Sequence, residues 1–262
     1  MKNRTLNETH PFLLFSALLA LLLLCACDEV PKAVMAIRTS HNTTITIDGK
    51  TVYSSGGKLS MNGQPESGNA VQGTGPVQIE VRELPAFTAV ELRTIAEVEI
   101  QAGEKHRCTV TAQENLLPLI GTEIAGETLR ISPKESYSGS QPVKITIETP
   151  AIRKASLAGS GSISLPKVSE DTLVLEISGS GDIRATGKVG RLSATISGAG
   201  NIRAQDLESE NGVVRILGAG NADVWVGKEL EAEINGAGNI FYRGGETHVK
   251  SSVRGAGSVN RR

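Results

Sequence analysis

The sequence predicts an all-β protein, a single-stranded parallel β-helix (β-solenoid) with about 19 residues per repeat. Three observations lead there. A glycine-centred motif recurs six times at near-constant spacing in the C-terminal part. Short runs of period-two alternation fill the chain from Val77 onward, the pattern of strands with one apolar face. Aromatic residues are only 3% of the 262, while glycine numbers 29. That balance suits a narrow aliphatic interior and leaves little material for aromatic stacking platforms.

The N-terminus reads as a targeting segment. Lys2 and Arg4 form a positive start, and Phe12 to Leu24 is an apolar run of 13 residues, too short for a membrane span. Leu24-Cys25-Ala26-Cys27 resembles the bacterial lipobox, with Leu24 at −3 and Ala26 at −1. Residues 1–26 are therefore expected to be a lipoprotein signal peptide. Cys27 is the expected lipidation site, and a chain anchored there sits on a membrane without spanning it. Asp28 resembles the inner-membrane retention signal of enteric lipoproteins, and acidic residues there accompany surface export in other lineages. The choice of membrane stays open.

Residues 27–76 are expected to be a lipidated tether. Thr44 to Ile47, the Asp48-Gly49 turn and Thr51 to Tyr53 read as a short hairpin. Ser54 to Pro76 is rich in Gly, Ser, Asn, Gln and Pro, a linker composition. The expected solenoid domain covers residues 77–262. Alternation marks strands around Val77, Ile79 and Val81, around Val90 and Leu92, and around Val98 and Ile100. It continues at Cys108 to Ala112, at Leu129 and Ile131, and at Val143 to Ile147. Glu114 to Ile120 reads as one helical turn, and no long amphipathic helix is expected.

The regular repeats span 155–260. Their first glycines are Gly159, Gly179, Gly198, Gly218, Gly236 and Gly255, at intervals of 20, 19, 20, 18 and 19 residues. The second glycines are Gly161, Gly181, Gly200, Gly220, Gly238 and Gly257. A fixed motif at this period signals a solenoid. Leu157, Ile177, Ile196, Ile216, Ile234 and Val253 precede the glycines and should point inward. Ile163, Ile183, Ile202, Ala222, Ile240 and Val259 follow them and should return inward. The Gly-x-Gly pairs read as structural corners, with positive φ or close backbone approach as the reason for glycine. On that reading Gly198→Val or Gly218→Val would act through φ strain. Ser162, Asp182, Asn201, Asn221, Asn239 and Ser258 form a column able to hydrogen-bond as a ladder. The irregular period favours a right-handed helix, and strand spacing gives a rise of about 4.8 Å per coil.

Several functions are disfavoured. The net charge of −1 gives no electrostatic footprint for nucleic acid. The glycine motif lacks the third glycine and the following helix of a dinucleotide loop. Only Asp182 offers a carboxylate in the column that a calcium ladder would use. Glu176, Glu208, Glu210, Glu231 and Glu233 share no column, although Arg184 and Arg203 stack. His106 and His248 lack ligand-spaced partners. Once Cys27 carries lipid and Cys25 is removed, Cys108 has no disulfide partner and reads as a buried strand residue. No catalytic residue, cofactor or metal is expected.

Residues Pro76 to Val259 resemble the head GIN domain family, whose members are described as auto-transporter adhesins. The carriers are Leu84-Pro85-Ala86-Phe87-Thr88-Ala89-Val90, the run Thr109 to Leu117, Gly126-Glu127-Thr128-Leu129-Arg130-Ile131 and the Gly-Ser/Ala-Gly-Asn/Asp repeats. The resemblance implies secreted or lipid-anchored bacterial β-solenoids and carries no catalytic residues. The expected function is a non-enzymatic, lipid-anchored protein of the bacterial cell envelope, acting by adhesion or envelope contacts. Its partners are the membrane through its lipid and, in solution or on surfaces, glycans or envelope proteins. Two alternatives are a polysaccharide-acting β-helix enzyme and a periplasmic regulatory partner of an envelope protein. The oligomeric state is not legible.

Overall fold

The structure is a computed structural model that describes residues 70–262 and three strands nearer the N-terminus. The signal segment, Cys27 and most of the tether lie outside the described residues. The chain divides into two units, Met1–Gly68 and Asn69–Arg262. In the first, β1 (Val34–Arg38), β2 (Thr43–Ile47) and β3 (Lys50–Ser54) form an antiparallel sheet in that order. The two strands expected at the Asp48-Gly49 turn therefore pair, and β1 joins them. No helix among the described residues is long and apolar enough to cross a membrane.

The second unit begins with β4 (Val71–Gln72) and β5 (Val77–Glu83). Next come β6 (Ala89–Leu92), β7 (Ile95–Ala102) and β8 (Arg107–Gln113), and then a 3₁₀ turn at Glu114–Leu119 where one helical turn was expected. After it come β9 (Ile120–Ala125), β10 (Thr128–Pro133), β11 (Tyr137–Ser138) and β12 (Lys144–Thr149). Antiparallel pairings of β5 with β8, β8 with β12 and β9 with β10 build an irregular base.

Above the base the chain stacks in parallel. The path runs through β13 (Lys154–Leu157), β14 (Ser160–Ile177), β15 (Ser180–Ile196), β16 (Ala199–Ile216) and β17 (Ala219–Ile234). It ends in β18 (Ala237–Arg243), β19 (His248–Val253) and β20 (Ala256–Arg261). Each long strand pairs with the next in parallel, so the predicted β-solenoid is the fold, with about five regular turns. The register reproduces the repeat: Ser160 lies under Ser180, Ser180 under Ala199, and Ala199 under Ala219. Pairing within a coil falls into three stretches, such as 180–184, 186–189 and 191–196 against the coil above. Each coil therefore has two long sides and one short side.

The interior is built from the two predicted columns. Leu157, Ile177, Ile196, Ile216 and Ile234 are fully buried, as are Ile163, Ile183, Ile202, Ala222 and Ile240. Burying a side chain of this size stabilises by about 1.5–3 kcal/mol. Val253 keeps its place in the column above Ile234 but is 44% exposed, because it lies in the last coil, on the unpaired edge of the stack. At β5 the strand is as expected, but its apolar residues face solvent, Ile79 being 67% exposed. Of the polar residues of β5 only Arg82 is partly buried. Arg82 reaches under the sheet, and its guanidinium donates to the carbonyls of Ile120 (2.6 Å) and Leu117 (3.1 Å).

The first coil of the stack is one that the glycine motif does not mark. β6 and β7 pair in parallel with β13 and with the start of β14, placing Leu92 under Leu157 and Val98 under Ile163. At its corner the coil carries Thr94 and Ala96 where the later coils carry glycine. The geometry supplies the reason. A Cβ on Gly159 would collide with the Thr94 backbone, and one on Gly161 with the Ala96 backbone. The same holds up the stack: each glycine faces the backbone of the coil beneath it. Under Thr94 and Ala96 the chain leaves the stack as the loop between β10 and β12. There the Thr94 hydroxyl meets the Tyr137 hydroxyl at 2.7 Å.

Close approach, then, is what excludes side chains at Gly198 and Gly218. Positive φ is found at second glycines instead, +128° at Gly161 and +136° at Gly181, and not at Gly198 or Gly218. The φ-strain reading of those two first glycines is corrected accordingly.

Cys108 lies in β8 and is fully buried, and burial pushes its thiol up to about 11. The thiolate is the reactive form, so the folded protein should resist a thiol reagent such as DTNB at pH 8 and react fully in denaturant. Rapid labelling of folded protein would contradict this burial. The folded state keeps the proton that the unfolded chain gives up, so this contribution to stability falls as pH rises from about 9 toward 11.

Candidate functional site

With its aliphatic residues turned inward, the solenoid meets its surroundings through outward columns. On the first long side the ladder column runs from Asp182 to Ser258. Asn201 donates to the Asp182 carboxylate at 2.9 Å, and Asn221 donates to the Asn201 carbonyl oxygen at 3.1 Å. Asn239 donates to Asn221 at 3.2 Å, and the Ser258 hydroxyl donates to Asn239 at 2.8 Å. Backbone N–H groups of Asn221 and Asn239 share the same acceptors. The column is thus largely self-satisfied. Burial alone would raise Asp182, but the Asn201 amide and the Arg203 guanidinium outweigh it and hold the carboxyl below its ordinary range.

Charged residues beside the ladder are also occupied. Arg184 and Arg203 stack in register, as the sequence suggested, yet neither is free to form a basic patch. Arg203 pairs with Asp182 at 2.8 Å and Arg184 with Asp206 at 3.4 Å. On the other long side Arg215 bridges Glu231 (3.1 Å) and Glu233 (3.3 Å), and Lys154 holds Glu176 at 2.7 Å. Exposed pairs of this kind contribute about 0–1 kcal/mol each and mainly match one coil to the next.

The histidines stay apart. His106 packs its ring 5.1 Å from Phe87 and lies 3.3 Å from the Thr149 hydroxyl, in the base of the stack. His248 is exposed at the start of β19. No cluster of three metal-ligating side chains occurs among the described residues.

The short side differs from the two long ones. Register shifts between Leu165 and Val168, between Arg184 and Thr186, and between Ala204 and Glu208 break its flatness. Two open depressions result, of about 290 Å³ and 420 Å³, which share Lys188, Val189 and Glu210. One outward position recurs through five coils: Ser169 lies under Lys188, Lys188 under Glu208, Glu208 under Trp225, and Trp225 under Arg243. Trp225 is the only tryptophan of the chain. It is partly exposed on this wall, with the Arg243 guanidinium 5.3 Å from its ring centroid and anchored by Asp206 at 3.0 Å. Lys228 pairs with Glu210 at 2.6 Å across the rim, and that hydrogen bond and charge hold Glu210 below the usual carboxylate range. In the sequence Glu208 and Glu210 read only as scattered acids, and no motif singles out Trp225. The column is aligned by the register shifts, which sequence spacing does not show.

A family model and a solved structure agree with the fold. The family described as "Putative auto-transporter adhesin, head GIN domain" matches residues 86–245. A solved structure of a "putative adhesin" from Bacteroides fragilis NCTC 9343 is similar over 74% of this chain and 100% of its own, with a TM-score of 0.59 and 18% identity. A "putative lipid binding protein" from Parabacteroides distasonis ATCC 8503 is similar over 74% of this chain and 99% of its own, with a TM-score of 0.46 and 22% identity. No curated protein matches the chain.

Proposed function

Because the chain belongs to the head GIN domain family of auto-transporter adhesins, we propose that it is a lipid-anchored, non-enzymatic adhesion protein of the bacterial envelope. The family supports an adhesion-type role at the cell envelope. The anchor rests on Cys27 and its lipobox, with the chain between Cys27 and the second unit at Asn69 as the tether. One observation carries the reading: the stack turns most of its apolar residues to its own interior and repeats its outward positions coil after coil. Such a surface suits a ligand that itself repeats.

The test is made on intact cells. With Cys27→Ser, incorporation of radiolabelled palmitate should be lost and the protein should leave the membrane fraction. One acyl chain alone binds a membrane only marginally, and stable anchoring takes two or more. Adhesion of expressing cells to glycan-coated surfaces should fall with it, and those glycans should return uncut by mass spectrometry. A Cys27→Ser protein that stays labelled and membrane-bound would sink the anchor. Cleaved glycans would overturn the non-enzymatic reading.

A further inference from the structure

We propose that the short side of the solenoid is a binding groove for an uncharged oligosaccharide, with Trp225 as its stacking platform. The inference rests on the adhesion reading and names the site and the ligand class for it.

A chain this poor in aromatics has placed its one indole outside the core, partly exposed in the lining of a depression. Arg243 stands over the ring and Asp206 holds Arg243, so the indole is braced from the coil above. Below it lie Glu208 and then Lys188, one acceptor and one donor, neither held in an ion pair among the described residues. A sugar presents C–H groups on the faces of its ring and hydroxyls around its edge. The faces match an indole, and the hydroxyls, which both donate and accept, match an ammonium beside a carboxylate.

Charge decides the class. Lys188 offsets Glu208, and Lys228 is closed onto Glu210. A sulfated or uronic chain would bring anions against depressions lined by Glu170, Asp171, Glu208 and Glu210, with only Lys188 and Lys228 as cations. Strand addition by a peptide is also disfavoured, because every coil along the groove already pairs with the coils above and below it. The column advances one coil at a time, about 4.8 Å, close to the advance of one sugar in an extended chain. Successive rings can therefore meet Trp225, Glu208, Lys188 and Ser169 in turn.

Since Trp225 is the sole tryptophan, its emission reports on the groove directly. The purified full chain is titrated with uncharged hexasaccharides of glucose, mannose, xylose and N-acetylglucosamine, and with heparin and polygalacturonate as charged controls. At least one uncharged hexasaccharide should give a saturable change in emission. By calorimetry Trp225→Ala should weaken that binding at least about ten-fold, the size of a hot-spot truncation. Trp225→Phe should retain most of it. Lys188→Ala, at an exposed position that leaves folding untouched, should weaken it several-fold. No response to any uncharged chain, tighter binding of the charged controls, or equal binding by Trp225→Ala would each overturn the proposal. Cells displaying Trp225→Ala separate the two levels. If they adhere as wild type does, the groove is wrong and the adhesion reading stands. If wild-type cells do not adhere, the adhesion reading itself has failed.

Discussion

Gly200→Ala is expected to destabilise the solenoid by at least about 3 kcal/mol, whereas Gly245→Ala stays within about 0.5 kcal/mol of wild type. Both changes add one methyl group in place of a hydrogen. At Gly200 that carbon would overlap the Gly181 carbonyl oxygen and stand 2.9 Å and 3.0 Å from the Gly181 carbonyl carbon and nitrogen. All three are backbone atoms in the middle of a paired sheet, so none can swing aside. Relief requires prising two coils apart, with loss of the hydrogen bonds between them. At Gly245 nothing lies within 4 Å. Urea melts of the two variants measure the difference. Equal midpoints would mean that the glycines of the motif do not serve coil-to-coil contact.

Ile196→Ala is expected to cost about 2–5 kcal/mol, the range for deleting a large buried aliphatic side chain. Ile196 is fully buried between Ile177 below and Ile216 above, in a column whose neighbours are tied by hydrogen bonds. The backbone there cannot collapse into the gap. Val253→Ala tests the same column at its exposed end. With the side chain 44% exposed and no coil above, the cost should be below about 1 kcal/mol. Thermal or urea melts of the pair decide it. Similar losses at both sites would show that the last coil is packed more tightly than its exposure implies.

Those two residues occupy equivalent places in the repeat, and that equivalence marks the reach of the sequence. Columns were legible because alternation and period are local properties. Ile163, Ile183 and Ile202 announce an interior wherever they occur. Position within the stack is not local, so Val253 looked like Ile196. For the same reason the alternation marks β6 and β7 as strands of the domain without marking them as a coil of the repeat. Their Leu92 and Val98 are in the right places, but Thr94 and Ala96 erase the motif. The glycines report a coil underneath, and this coil has only a loop beneath its corner. The groove was hidden for a third reason. Lys188, Glu208 and Trp225 are aligned by register shifts, and irregular steps leave no fixed spacing to read. The outward face of β5 was likewise obscured, because period two fixes which residues share a side and not which side is buried.

The glycine rule gives the rod a polarity. Each coil carries in its own sequence the small residues that let it settle on the coil below, and it asks nothing of that coil beyond an open edge. A new coil could therefore be added beyond β20 by duplicating one 19-residue unit, with no compensating change in the older ones. At the other end β6 and β7 already lie in parallel on β10 and β12, so addition there would demand displacing those strands and the Tyr137 loop as well as rewriting Thr94 and Ala96. Length is thus a heritable dial that turns at one end only, and related chains should differ in reach by whole coils gained or lost at the C-terminal side.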